Sequence, residues 1–171
     1  MVFRDGINPV FHTIYGTTCY SKYMNRRVAV RPIIVHEGKL LCVRLNQYKK
    51  ENTISSDNWC TAGGGVDDGE SITDALHREM LEETGIAPVI GNLLYFQQFI
   101  DNDVEHLEFF FHVTNAEDYL NIDLGKTTHG VAEIAEIAFI DAAAHTVLPT
   151  FLSSERFIDL ESAPAKVFSY L

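Results

Sequence analysis

The sequence predicts an α/β domain in which a mixed β-sheet lies between helices. Three observations carry this reading. The periodic segments follow one another in the order β-β-β-α-β-β-β-α. One segment, from about Ile72 to Thr84, combines helix-forming residues with both a start and a stop signal. Another, from His106 to Thr114, alternates as a strand does. With 171 residues, 46% hydrophobic and 22% charged, the chain is long enough for one domain with a sizeable core.

Taken in order, Met1 to Asn25 is aromatic-rich, with Phe3, Phe11, Tyr15, Tyr20 and Tyr23. We read residues 1–26 as an arm or extra strand of the domain that continues over 27–171, with a dimer contact or substrate lid as the sharper alternative. Arg27 to Val35 reads as a strand, His36 to Lys39 as a turn and Leu40 to Leu45 as a second strand, together a hairpin. Asn46 to Asn58 is polar and loop-like, and its Tyr48, Lys49 and Lys50 are candidates for touching a base or phosphate. Trp59 to Ala62 is a short strand that delivers the chain to a glycine run, with Trp59 expected in the core.

Beyond the helix, Leu93 to Ile100 reads as a strand and Asp101 to Asp103 as a turn. In the alternating strand, Leu107, Phe109, Phe111 and Val113 share one face, and His106, Glu108, Phe110 and His112 share the other. Glu108 is out of place among these apolar residues. It is either a carboxylate of the site or an exposed edge residue, with Glu105 and His106 as weaker base candidates. Asn115 to His129 is polar and mixed, and Ala132 to Ile140 is a strand with Glu133 and Glu136 near its start. Asp141 caps a short helix through His145. A final helix is expected from Phe151 to Leu160, with Phe151, Leu152, Phe157 and Ile158 in the core.

The chemistry concentrates between Gly63 and Ile86. Ser71 is the expected N-cap with Asp74 three residues on, and Gly85 is the expected left-handed C-terminal residue, with Pro88 following. At about 100° per residue, Glu79, Glu82 and Glu83 fall within an arc of roughly 100°, the arc that Ile72, Ala75 and Leu76 occupy earlier in the helix. A solvated helix places its carboxylates opposite the apolar stripe. Here one face enters a core and then turns acidic. Three clustered carboxylates repel one another unless a cation lies among them, and oxygen-only donors favour a hard ion such as Mg²⁺ or Mn²⁺. Gly63, Gly64 and Gly65 allow close backbone approach to phosphate or metal. The competing reading is a plain acidic surface helix after a plain turn.

The same stretch resembles the Nudix box, Gly-x5-Glu-x7-Arg-Glu-U-x-Glu-Glu-x-Gly-U, with U a bulky aliphatic residue. Gly64, Glu70, Arg78, Glu79, Glu82, Glu83 and Gly85 match the fixed positions, and Met80 and Ile86 match the two U positions. The sequence departs from the family's habit at Ala62, where proline often precedes the double glycine. The resemblance implies a Nudix-type α/β/α sandwich and hydrolysis of a nucleoside diphosphate linked to another moiety. It implies Mg²⁺ as cofactor, with Mn²⁺ as substitute, held by Glu79, Glu82 and Glu83 with the Gly63 or Gly64 carbonyl. Glu79, Glu82 or a carboxylate outside the box would be the general base, Arg78 would hold the carboxylates, and Glu70 would brace the loop or bind metal through water. Glu133 and Glu136 are candidates for an extra base or metal ligand, and Arg44, Glu108 and Gly65 for substrate contacts, with Arg27 and Arg31 weaker. Two other functions share the scaffold: a non-catalytic nucleotide sensor, and a prenyl-diphosphate-type isomerase, for which Cys60 is the nearest thiol. Substrate identity stays open.

The formal net charge is -11, and seven carboxylates between Asp67 and Glu83 stand against Arg78 alone. That acidity fits a metal-binding patch and argues against a broad nucleic-acid surface, while the resemblance implies a small nucleotide-type substrate. Cys19, Cys42 and Cys60 are odd in number and widely spaced, as expected of reduced thiols in a cytoplasmic protein. No apolar run reads as a leader or a membrane span. A homodimer is left open.

Overall fold

A computed structural model of the chain describes residues 12–14, 17–19, 25–46 and 58–171. Most of the arm read over 1–26, and with it the loop residues Tyr48, Lys49 and Lys50, lies outside the described residues. The strands are β1 (His12–Ile14), β2 (Thr17–Cys19), β3 (Asn25–Ile33), β4 (Val35–His36), β5 (Lys39–Leu45) and β6 (Trp59–Cys60). Helix α1 (Ile72–Thr84) follows, then β7 (Ile90–Asp101), β8 (Val104–Val113), the short helix α2 (Gly130–Glu133), β9 (Ile134–Ile140), β10 (Val147–Leu148) and β11 (Lys166–Tyr170).

The strands form two mixed sheets and a small ribbon. One sheet runs β11-β7-β8-β3, antiparallel at β7-β8 and parallel at its two outer pairs. The other runs β10-β6-β5-β4, with β9 also paired to β5. Strands β1 and β2 pair with each other. The fold is of the α/β class with mixed sheets, as the sequence predicts. Among the described residues, no helix is long and apolar enough to cross a membrane.

The predicted hairpin is narrower than expected. Strand β3 pairs with β8, and only β4 and β5 form the hairpin. Its two-residue turn is Glu37-Gly38, both with left-handed φ, the conformation that matches the twist of paired strands. The apolar run crosses from one sheet to the other at Ile33 and Ile34. Both are fully buried, but in separate core clusters. A continuous apolar run conceals such a break, because both faces of the segment are covered. Strand β5 is likewise covered on both sides, with Leu40 and Cys42 in one cluster and Leu41 and Val43 in the other. Trp59 is buried as expected.

The C-terminal helix does not form. Only a 3₁₀ turn at Thr150–Ser154 is present, and Asp159 takes φ 52°, which an α-helix does not accommodate. The chain turns back there and adds β11 in parallel to β7. Phe151 and Leu152 are buried as predicted, Phe157 packs against the core, and Ile158 is exposed. The order of elements rests on packing here: Phe168 of β11 stacks on Phe151 with ring centroids 4.1 Å apart.

Candidate active site

Helix α1 has the ends that its sequence specifies. Ser71 accepts a hydrogen bond from the Asp74 N–H, and Gly85, with φ 74°, donates its N–H to Leu81 O. The Asp74 carboxylate takes the Ser71 hydroxyl (2.6 Å). With both ends fixed, the helix is anchored through Ala75, Leu76 and Met80, all fully buried. The next residues on that side are carboxylates, and they also face inward. Glu83 is buried, and the side chains of Glu79 and Glu82 are 16% and 29% exposed.

The glycine run lies along β3 rather than looping free. Gly65 bridges to Ala29, Val30 donates its N–H to Gly64 O at 2.9 Å, and Val66 donates to Val28 O. Gly63 has φ 91°, and a Cβ there would meet Val30 O at 2.3 Å. A Cβ on Gly64 would meet the Glu79 carboxylate at 2.6–2.7 Å. The missing side chain at Gly64 is the space in which the Glu79 carboxylate lies.

Arg78 ties the acidic turn to this loop. Its Nε and Nη2 both bond Glu70 at 2.9 Å, Nη1 bonds Glu79 at 2.8 Å and reaches Glu82 at 3.3 Å, and Nη2 also bonds Gly65 O. Hydrogen bonds from Arg78, then from the Asp67 N–H, hold the Glu70 carboxyl below its usual range. Glu83 is the deepest of the group and accepts the Gly63 N–H at 2.7 Å. Burial, reinforced by the negative charges of Glu79 and Glu133, pushes its carboxyl up to about 7, against the pull of Gly63 and Arg31.

These groups open onto a cleft of about 980 Å³. The structure brings Gly63, Gly64, Gly65, Arg78, Glu79, Glu82, Glu83, Glu108 and Glu133 to its wall. It does not bring Arg44 or Glu136 there. Those two pair with each other, and Arg44 lies over Trp59 with its guanidinium carbon 5.0 Å from the ring centroid. Glu108 is not an exposed edge residue: it is 7% exposed and paired with Arg31. Glu105 is bound to Arg26 and Gln98, and His106 stacks on Phe99. Both glycine carbonyls expected as metal ligands already accept protein hydrogen bonds, Gly63 O from Arg31 at 2.6 Å and Gly64 O from Val30. Each keeps a second lone pair.

Several cleft residues went unread in the sequence. His129 donates its N–H to Glu82 O, and its ring lies 3.4 Å from the Glu82 carboxylate. Gln97 and Phe99 come from β7, and Tyr170 from the unpredicted β11. Cys60 also reaches the cleft, but burial pushes its thiol up to about 11, so it carries little thiolate and is a poor nucleophile. That weighs against the isomerase.

The donor set suits a hard divalent cation: carboxylate oxygens only, on a rigid helix end beside a loop that a Cβ would fill. Among the described residues, no three acidic, histidine or cysteine side chains form a closed ligand group, and Arg78 spans Glu79 and Glu82.

Comparison with known proteins places this fold and cleft. The NUDIX domain family model matches residues 24–157, and the chain belongs to the Nudix family. It is 33% identical over 84 residues to the ADP-ribose pyrophosphatase of Methanocaldococcus jannaschii, covering 49% of this chain and 47% of that one. It is 40% identical over 65 residues to the RNA pyrophosphohydrolase of Bartonella quintana, covering 37% and 38%. The chain thus matches less than half the length of these curated relatives. Among solved structures, the MutT protein of Methanosarcina mazei superimposes with TM-score 0.59 at 23% identity, over 77% of this chain and 91% of that one. A NUDIX hydrolase of Nitrosomonas europaea gives TM-score 0.55 at 16% identity, over 99% and 100%. These structural likenesses speak to the fold alone.

Proposed function

We propose that this chain is a Mg²⁺-dependent pyrophosphohydrolase that cleaves a nucleoside diphosphate linked to another moiety, with Mn²⁺ as a substitute ion. The observation that carries the reading is the inward-facing acidic turn of α1. Glu79 lies against Gly64, Glu83 is bonded to Gly63, and Arg78 braces Glu70, Glu79 and Glu82 at the wall of one cleft. A solvated surface helix does not bury a carboxylate at its C-terminal turn.

Glu79, Glu82 and Glu83 would hold the ion, with the second lone pair of Gly63 O or Gly64 O as a further donor. A bound Mg²⁺ supplies neutralisation of the bridging phosphates and a lowered pKa for an attacking water. Arg27 and Arg31 of β3, which also line the cleft, offset the remaining phosphate charge. Glu79 or Glu82 takes the proton of the attacking water. Glu133 is the carboxylate outside the helix with access to the same space, whereas Glu136 is committed to Arg44. We assign the catalytic domain to residues 27–171. We place the protein in a reducing, cytoplasmic setting, as its three widely spaced cysteines suggest.

Glu82→Gln should lower Mg²⁺-dependent release of nucleoside monophosphate by at least about 100-fold, the scale of a lost general base, and Glu83→Gln should lower it sharply by removing a metal ligand. A screen of nucleoside triphosphates, nucleotide sugars, ADP-ribose and dinucleoside polyphosphates with product identification checks this. If the unmutated protein cleaves none of them with Mg²⁺ or Mn²⁺, the reading fails. Tight binding without turnover would favour a nucleotide sensor.

A further inference from the structure

The cleft has a second polar centre, which the hydrolytic reading does not use. On one face of the β7-β8 pair, cross-strand partners run Tyr95 with Phe110, then Gln97 with Glu108, then Phe99 with His106. The first pair is part of the aromatic core, with rings 6.3 Å apart. The third is a stacked pair, with centroids 4.6 Å apart. Gln97 and Glu108 interrupt this aromatic ladder side by side, at 6% and 7% exposure. A third apolar pair would pack there without desolvating an amide or a charge. Two adjacent breaks of the same local rule, both on the wall of the cleft, mark a functional choice.

The hydrogen bonds sharpen the point. The Gln97 carboxamide oxygen is sealed from solvent and has no partner. Glu108 receives one long contact, 3.3 Å from Arg31, whose stronger bond at 2.6 Å goes to Gly63 O. Gln97 and Glu108 therefore lie next to each other with unused hydrogen-bonding capacity, and the Gln97 side chain must turn toward the cleft for its carboxamide oxygen to meet a ligand. Phe99 and Tyr170 line the same part of the cleft, and β11 sets Tyr170 directly opposite Phe99. Arg31 spans from this pair to the glycine loop, so the second centre adjoins the candidate metal end.

We propose that Gln97 and Glu108 read the nucleobase of the substrate and select bases that carry an exocyclic amino group. An amino group presents two N–H donors, and in guanine a ring N–H adds a third on the same edge. These meet the two acceptors. Uracil and thymine present one N–H between two carbonyls, which sets a carbonyl oxygen against the Glu108 carboxylate. Aromatic side chains beside the pair suit a planar ring, which favours a base over a sugar as the occupant. This proposal rests on the reading of the chain as a nucleotide pyrophosphohydrolase.

The test separates the two. With the unmutated protein, kcat/KM is measured for matched nucleotides that differ only in the base: cytidine against uridine, and adenosine against inosine. The amino-bearing member should be preferred at least tenfold, mainly through KM. In Gln97→Leu, the cytidine-to-uridine ratio should fall at least tenfold, and circular dichroism and the thermal midpoint report whether that variant is folded. Binding of non-hydrolysable cytidine and uridine analogues to Glu82→Gln, in Mg²⁺, reads the preference without turnover. Hydrolysis with equal cytidine and uridine constants overturns the base assignment and leaves the hydrolase intact. Preferential binding with no hydrolysis by the unmutated protein overturns the hydrolase and leaves the base assignment intact. Discrimination by the attached sugar alone, with the base irrelevant, overturns the assignment of Gln97 and Glu108.

Discussion

At the scale of single residues, Gly63 and Gly64 are adjacent glycines with different purposes. A methyl group on Gly63 would strike the Val30 carbonyl, and the φ of 91° there disfavours any side chain. Gly63→Ala should therefore cost about 2 kcal/mol or more of stability. On Gly64 the same methyl meets only the far end of Glu79, which can swing aside. Gly64→Ala should leave the thermal midpoint nearly unchanged and sharply reduce turnover, because Glu79 loses its place against the loop. Measuring both quantities in both variants checks the contrast. Glu83 gives a pH signature. Its carboxyl is raised to about 7 by burial, so the folded state without a bound cation favours the acid form. That contribution is fully present below the ordinary carboxylate range and is lost as pH rises through about 7. With chelator present, this contribution should make the thermal midpoint fall from about pH 4.5 to about pH 7, and the fall should be shallower in Glu83→Gln. Identical slopes in the two proteins would refute the assignment.

At the scale of elements, α1 was legible from its sequence because its determinants are local. Its cap, its stop and the arc shared by Glu79, Glu82 and Glu83 all lie within the segment from Ser71 to Gly85. Arg78 is the exception that needs the fold: its bonds reach back to Glu70 and Gly65, across the turn that precedes the helix. Lysine at this position keeps the charge but cannot grip Glu70 with two nitrogens while holding Glu79. Arg78→Lys should lower kcat roughly 10–100-fold, the usual cost of losing a group that orients metal ligands. A titration of the activity with Mg²⁺ distinguishes this from global unfolding, since a folded variant still saturates. The part of the cleft built by the strands was not legible. Arg31, Gln97 and Glu108 meet only through the register of β3, β7 and β8, and a sequence shows alternation without showing which strands are neighbours. Arg44 was misplaced for the same reason: its partner Glu136 is set by the pairing of β5 with β9.

At the scale of the whole molecule, strands of both sheets meet in one core cluster that the C-terminal segment completes, while α1 packs in the other cluster. Phe168 stacks on Phe151, and Phe151 in turn meets Tyr95 and Phe110. Phe168→Ala should destabilise the protein by about 1–3 kcal/mol, less than a fully buried phenylalanine, because Phe168 is only partly covered. Chemical denaturation checks the figure. Strand β11 escaped the sequence reading because it is a short edge strand with Val167 exposed, and its pairing with β7 is settled by residues some 70 positions away. The same strand sets how open the cleft is. Tyr170 lines the cleft beside its register partner Phe99, yet it is more than half exposed. Tyr170→Ala should therefore widen the mouth of the cleft at little cost in stability. Its KM should shift while its thermal midpoint stays nearly unchanged, and measuring both in the variant checks this.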